Sequence, residues 1–139
     1  MSSFVYGKIS QYAVSAVSYL AEHHGGGAML SSAQIAEGRS LPKPVVAKIL
    51  TTLSAAGIIR GIPGPNGGYA LARNPSDITL LDIVEQFENT DGAIPCPLGP
   101  DWCGNGPQCP VHDKIEALRM SADSLLRGSN FDGFVKGRA

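Results

Sequence analysis

Between Ile58 and Ala72 the chain reads Ile-Ile-Arg-Gly-Ile, then Pro-Gly-Pro-Asn-Gly-Gly, then Tyr-Ala-Leu-Ala. β-Branched and aromatic residues flank a block of turn formers, so two short antiparallel strands are expected over 58–62 and 69–72, joined by a glycine-rich hairpin. Directly upstream, residues 31–57 carry the marks of two helices joined by a tight turn. Helix, turn, helix, hairpin in that order restricts the chain to a winged helix-turn-helix arrangement, mainly α with a small β-hairpin. Gly64, Gly67 and Gly68 invite comparison with a phosphate-cradling loop. No Lys-Ser/Thr follows them and no helix begins there, so a nucleotide site is disfavoured.

The helices are legible from spacing. Ile9, Tyr12, Ala13, Ala16, Val17 and Leu20 repeat at threes and fours, which predicts a first helix running to about His23-His24. Neighbouring residues on a helix point about a hundred degrees apart. The two histidines therefore fit an exposed helix end, where the dipole favours them, better than a shared metal. After the break Gly25-Gly26-Gly27, Ser31 is placed as an N-cap with Gln34 as its capping-box partner and Leu30 and Ile35 as a hydrophobic staple. Gly38 is expected to end that helix in the left-handed conformation. A second helix follows, with Pro42 and Pro44 tolerated only around its first turn and Val46, Ile49, Leu50 and Leu53 on its inner stripe, closed by Gly57.

If this pair is a DNA-reading motif, its second helix presents Lys43, Val45, Lys48, Thr51 and Thr52 outward. Arg39 then lies in the turn, and Arg60, Asn66 and Gly67 belong to the wing. Taken alone, the same segment also fits an ordinary helical hairpin with a solvated face. Charge distribution favours the first reading. Net charge over 139 residues is only −1, yet residues 38–76 contain Arg39, Lys43, Lys48, Arg60 and Arg73 and no acid, a local +5.

Downstream the balance reverses. From Asp77 to Asp113 there are seven acids (Asp77, Asp82, Glu85, Glu88, Asp91, Asp101 and Asp113) and no Lys or Arg. Thr79 and Asp82 form a second capping box, with Leu80, Ile83, Val84 and Phe87 as the buried face of a connecting helix. Then comes the only cysteine-bearing segment. Cys96, Cys103 and Cys109 are separated by six and then five residues, and His112 follows the last by three, among glycines and prolines that allow neither helix nor strand. An odd cysteine count argues against a closed disulfide framework. Three thiolates and an imidazole within seventeen residues point to metal ligation, by zinc or by iron. Small buried hydrophobes in a loop and a reversible metal-free thiol switch are the rival readings. The acidic surroundings speak against a zinc module on RNA phosphates.

Past the loop, Ile115, Leu118, Ala122 and Leu125 repeat at three, four and three, which predicts a helix from about Pro110 to Arg127 with a coiled-coil seam suited to a second copy. The tail from Gly128 to Ala139 is expected to fray. The organisation expected is a winged helix-turn-helix domain over 1–76, a connecting helix over 77–95, a cysteine loop over 96–112, and a dimerisation helix with its tail over 113–139. A hydrophobic content of 43% suits one ordinary core. No apolar run approaches the roughly 20 residues of a membrane helix, and with no secretory signature at the start, a cytoplasmic location and no membrane partner are expected. No nucleophile, base and orienting group converge in any motif, so the chain is not read as an enzyme and no small-molecule substrate is expected.

These features together resemble the winged-helix iron–sulfur regulator family typified by IscR and NsrR. The resemblance runs from about Lys8 to Leu126. It rests on Gln-Tyr-Ala-Val in the first helix, Leu-x-x-Ala-Gly-Ile-Ile, the wing Gly-Pro-Asn-Gly-Gly-Tyr-Ala-Leu, and the loop ending in Cys-Pro-Val-His. It implies a homodimer on a palindromic operator in double-stranded DNA. It also implies a regulator, a repressor in the first instance, whose affinity is set by an iron–sulfur cluster reporting iron–sulfur, redox or nitric-oxide status. The implied ligands are Cys96, Cys103, Cys109 and His112, with [2Fe-2S] ahead of [4Fe-4S]. In NsrR-like members an aspartate before the first-helix tyrosine is a ligand; that position is Gln11 here, which favours His112. The chain departs from the family pattern in the six-residue first gap between cysteines and in Pro63, which stands where IscR-like wings have arginine. The competing functions are zinc or metal-free thiol sensing on the same fold, and a small iron–sulfur electron carrier.

Overall fold

The computed structural model describes residues 6–25, 29–88 and 110–135. The elements, in chain order, are α1 (Lys8–Glu22), α2 (Ser32–Gly38), α3 (Lys43–Ala55), β1 (Ile59–Ile62), β2 (Gly68–Leu71), α4 (Leu80–Val84) and α5 (His112–Gly128). Short 3₁₀ turns occupy Pro75–Asp77 and Asp132–Phe134. The two strands pair antiparallel with Ile59 opposite Leu71 and Ile62 opposite Gly68. The expected mainly helical fold with one hairpin is what forms.

One core joins these elements. The stripe predicted on α1 supplies Ala13, Ala16, Val17 and Leu20, and α3 adds Val46, Ile49, Leu50 and Leu53. Ile35, Ile58, Ile59, Ile78 and Ile83 complete the same cluster. Three helix termini close as their residue types dictate. Gln34 N–H donates to Ser31 Oγ at 3.1 Å while Ser31 N–H donates to Gln34 Oε1 at 2.8 Å. Thr79 and Asp82 repeat this exchange at 2.9 and 3.1 Å. At the end of α3, Gly57 has φ +77°, and the N–H groups of Gly57 and Ile58 donate to the carbonyls of Ser54 and Leu53, both at 3.1 Å. That is the reciprocal C-terminal closure for which glycine is suited.

Gly38 differs from expectation. It remains within α2, and Ser40, with φ +53°, takes the left-handed position. The glycine serves a close approach instead, because a Cβ on Gly38 would collide with the edge of the Tyr19 ring on α1. Leu30 also exceeds its predicted role. Beyond packing against the core, it exchanges hydrogen bonds with Tyr69 at 3.0 and 2.7 Å, which fastens the edge of the hairpin to the segment before α2.

The C-terminal segment corrects the expectation of a frayed tail. Phe131 is fully buried in the main core, its N–H donates to the Pro75 carbonyl at 3.1 Å, and Leu80 N–H donates to Ser129 O at 3.0 Å. Asn130 bridges to Thr79. A single aromatic side chain with a burial of this size outweighs the entropy that frees most chain ends. Residues 136–139 lie outside the described residues.

Helix α5 also differs in detail from its predicted seam. Leu126, absent from that seam, is the residue it buries, while Leu118 and Leu125 are 42% and 45% exposed and Met120 is 71% exposed. Ile115 and Ala122 are half-buried. Among the described residues α5 packs against α4, which leaves an apolar edge uncovered. No helix among the described residues is long and apolar enough to cross a membrane.

Candidate nucleic-acid interface and cysteine loop

Helix α3 lies with its inner stripe in the core, so the residues between must face outward. Lys43, Lys48 and Thr51 are exposed, Thr52 is half-buried, and Val45 is half-buried against the core. The threonine hydroxyls donate back to the helix, Thr51 Oγ1 to Ala47 O at 3.0 Å and Thr52 Oγ1 to Lys48 O at 3.2 Å. Their proton thus has a fixed partner while the oxygen lone pairs stay available to a donor from outside. Ala47 is exposed on the same face and was not singled out from sequence, because a lone alanine carries no signal. On the hairpin, Arg60 and Asn66 are exposed and Gly67 is half-buried at the turn, where its N–H donates to Gly64 O at 3.0 Å. Gly67 cannot carry a side chain, since a Cβ there would collide with the Ile62 carbonyl.

Of the cations named from sequence, Lys43, Lys48 and Arg60 have no ion-pair partner among the described residues. Arg39 is placed differently. Its guanidinium pairs with Glu22 at 2.7 Å, donates to Ser18 Oγ at 3.2 Å and stacks over Tyr19 at 4.9 Å. These contacts turn it toward α1, where it fixes α2 against the first helix. Arg73, at the base of the hairpin, approaches Asp82 at 3.8 Å.

Between α3 and the hairpin runs an open cleft, bounded by Thr51 and Ser54 on one side and by Gly61, Ile62 and Pro63 on the other, with Gly68 and Tyr69 at its end. The Tyr69 ring covers Gly61 closely enough that a Cβ there would meet it at 2.9 Å. Helix face, cleft and hairpin thus form one continuous surface carrying free positive charge.

Cys96, Cys103 and Cys109 lie outside the described residues, but the two flanks of their loop are defined. On the entry side, backbone turns continue α4 through Glu88, whose carboxylate accepts the Gly7 N–H at 2.8 Å and the Ser10 hydroxyl at the start of α1. An anion there also meets the positive end of the helix dipole. No sequence signal foretold this contact, because Glu88 and Ser10 are far apart in the chain and each is common on surfaces. On the exit side, His112 opens α5, three residues after Cys109. It is half-buried, and its ring makes no hydrogen bond with any described residue. Helix α5 begins without a side-chain cap hydrogen bond.

A helix pair with a wing and an unpaired cationic face defines a winged helix-turn-helix DNA-binding module of the kind used by transcriptional regulators. The model of the Rrf2 family, described as an iron-dependent transcriptional regulator, matches residues 7–137, and the chain belongs to that family. It is 31% identical over 127 residues to a protein named as a helix-turn-helix-type transcriptional regulator in Aquifex aeolicus, covering 90% of this chain and 87% of that one. The solved structure of IscR from T. potens superposes with a TM-score of 0.69 at 27% identity, covering 91% of this chain and 82% of that one. The structure of CymR, the global cysteine regulator of B. subtilis, superposes at 0.71 with 21% identity, covering 91% and 92%, a likeness of fold.

Proposed function

We propose that the protein is a homodimeric transcription regulator, a repressor acting in the cytoplasm, in which Cys96, Cys103, Cys109 and His112 hold an iron–sulfur cluster that sets affinity for a palindromic operator. The observation that carries this reading is the anchoring of the loop at both ends. Its entry is clasped to the first turn of α1 through Glu88, and its exit is the first turn of α5. A change in the loop therefore pulls on a core helix of the DNA-binding module and on the helix with the uncovered apolar edge.

The donor set suits the group. Thiolates are the usual ligands of iron–sulfur clusters, and imidazole replaces thiolate in some [2Fe-2S] centres, so three thiolates and one imidazole favour [2Fe-2S]. The half-buried His112 ring, unbonded among the described residues, is available as the fourth donor. When bound, the cluster would supply a centre whose oxidation or loss changes the loop's charge and its bonds to the chain. The remaining steps belong to the protein. Glu88 transmits displacement of the loop to α1, and α1 packs on α2 and α3. Leu118 and Leu125 offer the second copy an apolar seam. Two-fold related α3 helices then meet half-sites about 34 Å apart, a spacing sensitive to shifts of a few ångströms.

The cluster is tested directly. Protein purified without oxygen should be coloured and contain iron; material that stays colourless and iron-free after reconstitution with iron and sulfide would refute it. DNA contact is tested separately. Lys48→Ala should weaken binding to a duplex about equally for all sequences and lower the slope of log affinity against log salt by about 1, as loss of one phosphate contact requires. An unchanged slope would remove Lys48 from the interface. The second reading is metal-free thiol sensing, supported by the shared fold with a cysteine regulator. It predicts the same DNA behaviour in iron-free protein, with affinity that answers to thiol oxidants.

A further inference from the structure

Among the buried side-chain polar atoms of the described residues, Ser54 Oγ stands apart in having no hydrogen-bond partner. It lies on α3 at the wall of the cleft between that helix and the hairpin. An unsatisfied buried hydroxyl costs folding free energy, so its position asks for a partner that the described residues do not supply. The residue itself is only half-buried even though its oxygen is shielded. A turn about χ1 from one staggered well to another is enough to bring the hydroxyl round into the cleft.

The expected occupant follows from how a winged helix sits on a duplex. When α3 enters the major groove and the hairpin lies against the neighbouring minor groove, the sugar–phosphate strand dividing the two grooves must pass between them. The cleft occupies that place. Its walls suit a backbone strand: glycines at 61 and 68 keep it open, Ile62 and Pro63 offer apolar surface to a sugar, and none of its lining residues is charged.

We propose that Ser54 donates its hydroxyl to one backbone phosphate of bound double-stranded DNA, held in this cleft. The inference rests on the DNA-binding reading and deepens it. Ser54 is a neutral phosphate contact and a binding residue distinct from the lysines, and the hydroxyl hidden in the free protein becomes satisfied only on the duplex.

The two consequences of removing it have opposite signs, which sets this role apart from a structural one. Ser54→Ala should leave folding stability unchanged or slightly raised, because it deletes an unpaired buried group. It should weaken binding roughly tenfold, as loss of a charge-assisted hydrogen bond does. The salt slope should stay at the wild-type value, since no counterion-releasing charge is lost, and base preference should not change. Ser54→Thr, which keeps a hydroxyl, should retain most of the affinity.

The probe is a duplex that the wild-type full-length protein selects from a random library, with single phosphates then replaced by methylphosphonate. At one position the replacement should weaken the wild type by about the same factor as Ser54→Ala and weaken the variant no further. Equal affinity of Ser54→Ala and wild type, or additive losses at every phosphate, would overturn the inference. If the wild type selects no duplex, the DNA-binding reading itself fails, and that outcome is told apart before any variant is made.

Discussion

Phe131→Ala is expected to lower folding stability by about 3–5 kcal/mol, the range for truncating a fully buried phenylalanine to alanine. That is a large share of the stability of a domain of this size, since such domains hold about 5–15 kcal/mol in total. Phe131 is fully buried, shares the cluster that contains α1, α3 and the hairpin, and lies against Phe134 with ring centroids 5.8 Å apart. Alanine would open a cavity that the surrounding helices fill only in part. Denaturant titration at one fixed protein concentration measures the loss, because any self-association would make apparent stability depend on concentration. Phe134→Ala is the control. That side chain is 47% exposed, and its removal should cost well under half as much. A loss below about 1 kcal/mol for Phe131→Ala would show that the chain end is not part of the core.

Cys103→Ala is expected to abolish visible absorbance and bound iron in protein prepared without oxygen, with helical content retained. Cys103 is the middle cysteine of the three, and the chain contains no fourth to replace it. Among the described residues α1, α3 and the hairpin already share one core, so the loop variant should fold. Its affinity for a duplex should match that of iron-free wild type, because on the proposed reading both lack the cluster. Intact cluster bands in the variant would break the ligand assignment. Loss of iron with affinity unchanged from that of the iron-loaded wild type would instead separate metal binding from DNA control.

Much of this molecule follows from short-range pattern. The capping boxes at Ser31 and Thr79, the closure at Gly57 and the inner stripe of α3 are set by residues within about two helical turns of each other, where backbone hydrogen bonding and helical period leave few alternatives. The outward face of α3 was legible for the same reason: once the buried stripe is known, Lys43, Lys48 and Thr51 must face solvent.

What spacing did not convey are the contacts between distant parts of the chain. Gly38 reads as a helix stop, yet its role is to admit Tyr19 from α1. Arg39 reads as a free cation in a basic stretch, yet Glu22 and Ser18 hold it against the first helix. Phe131 reads as part of a loose end, and Glu88 as one acid among several. Burial in the common core engages the first, and the first turn of α1 engages the second. The sequence by itself determined the order of elements, their ends and the group of residues able to ligate a metal, because those depend on near neighbours and on side-chain chemistry. Only the tertiary structure decided which charges are free, which glycine admits a ring, and which hydroxyl lacks a partner. Each of those depends on what a residue from elsewhere in the chain brings within reach.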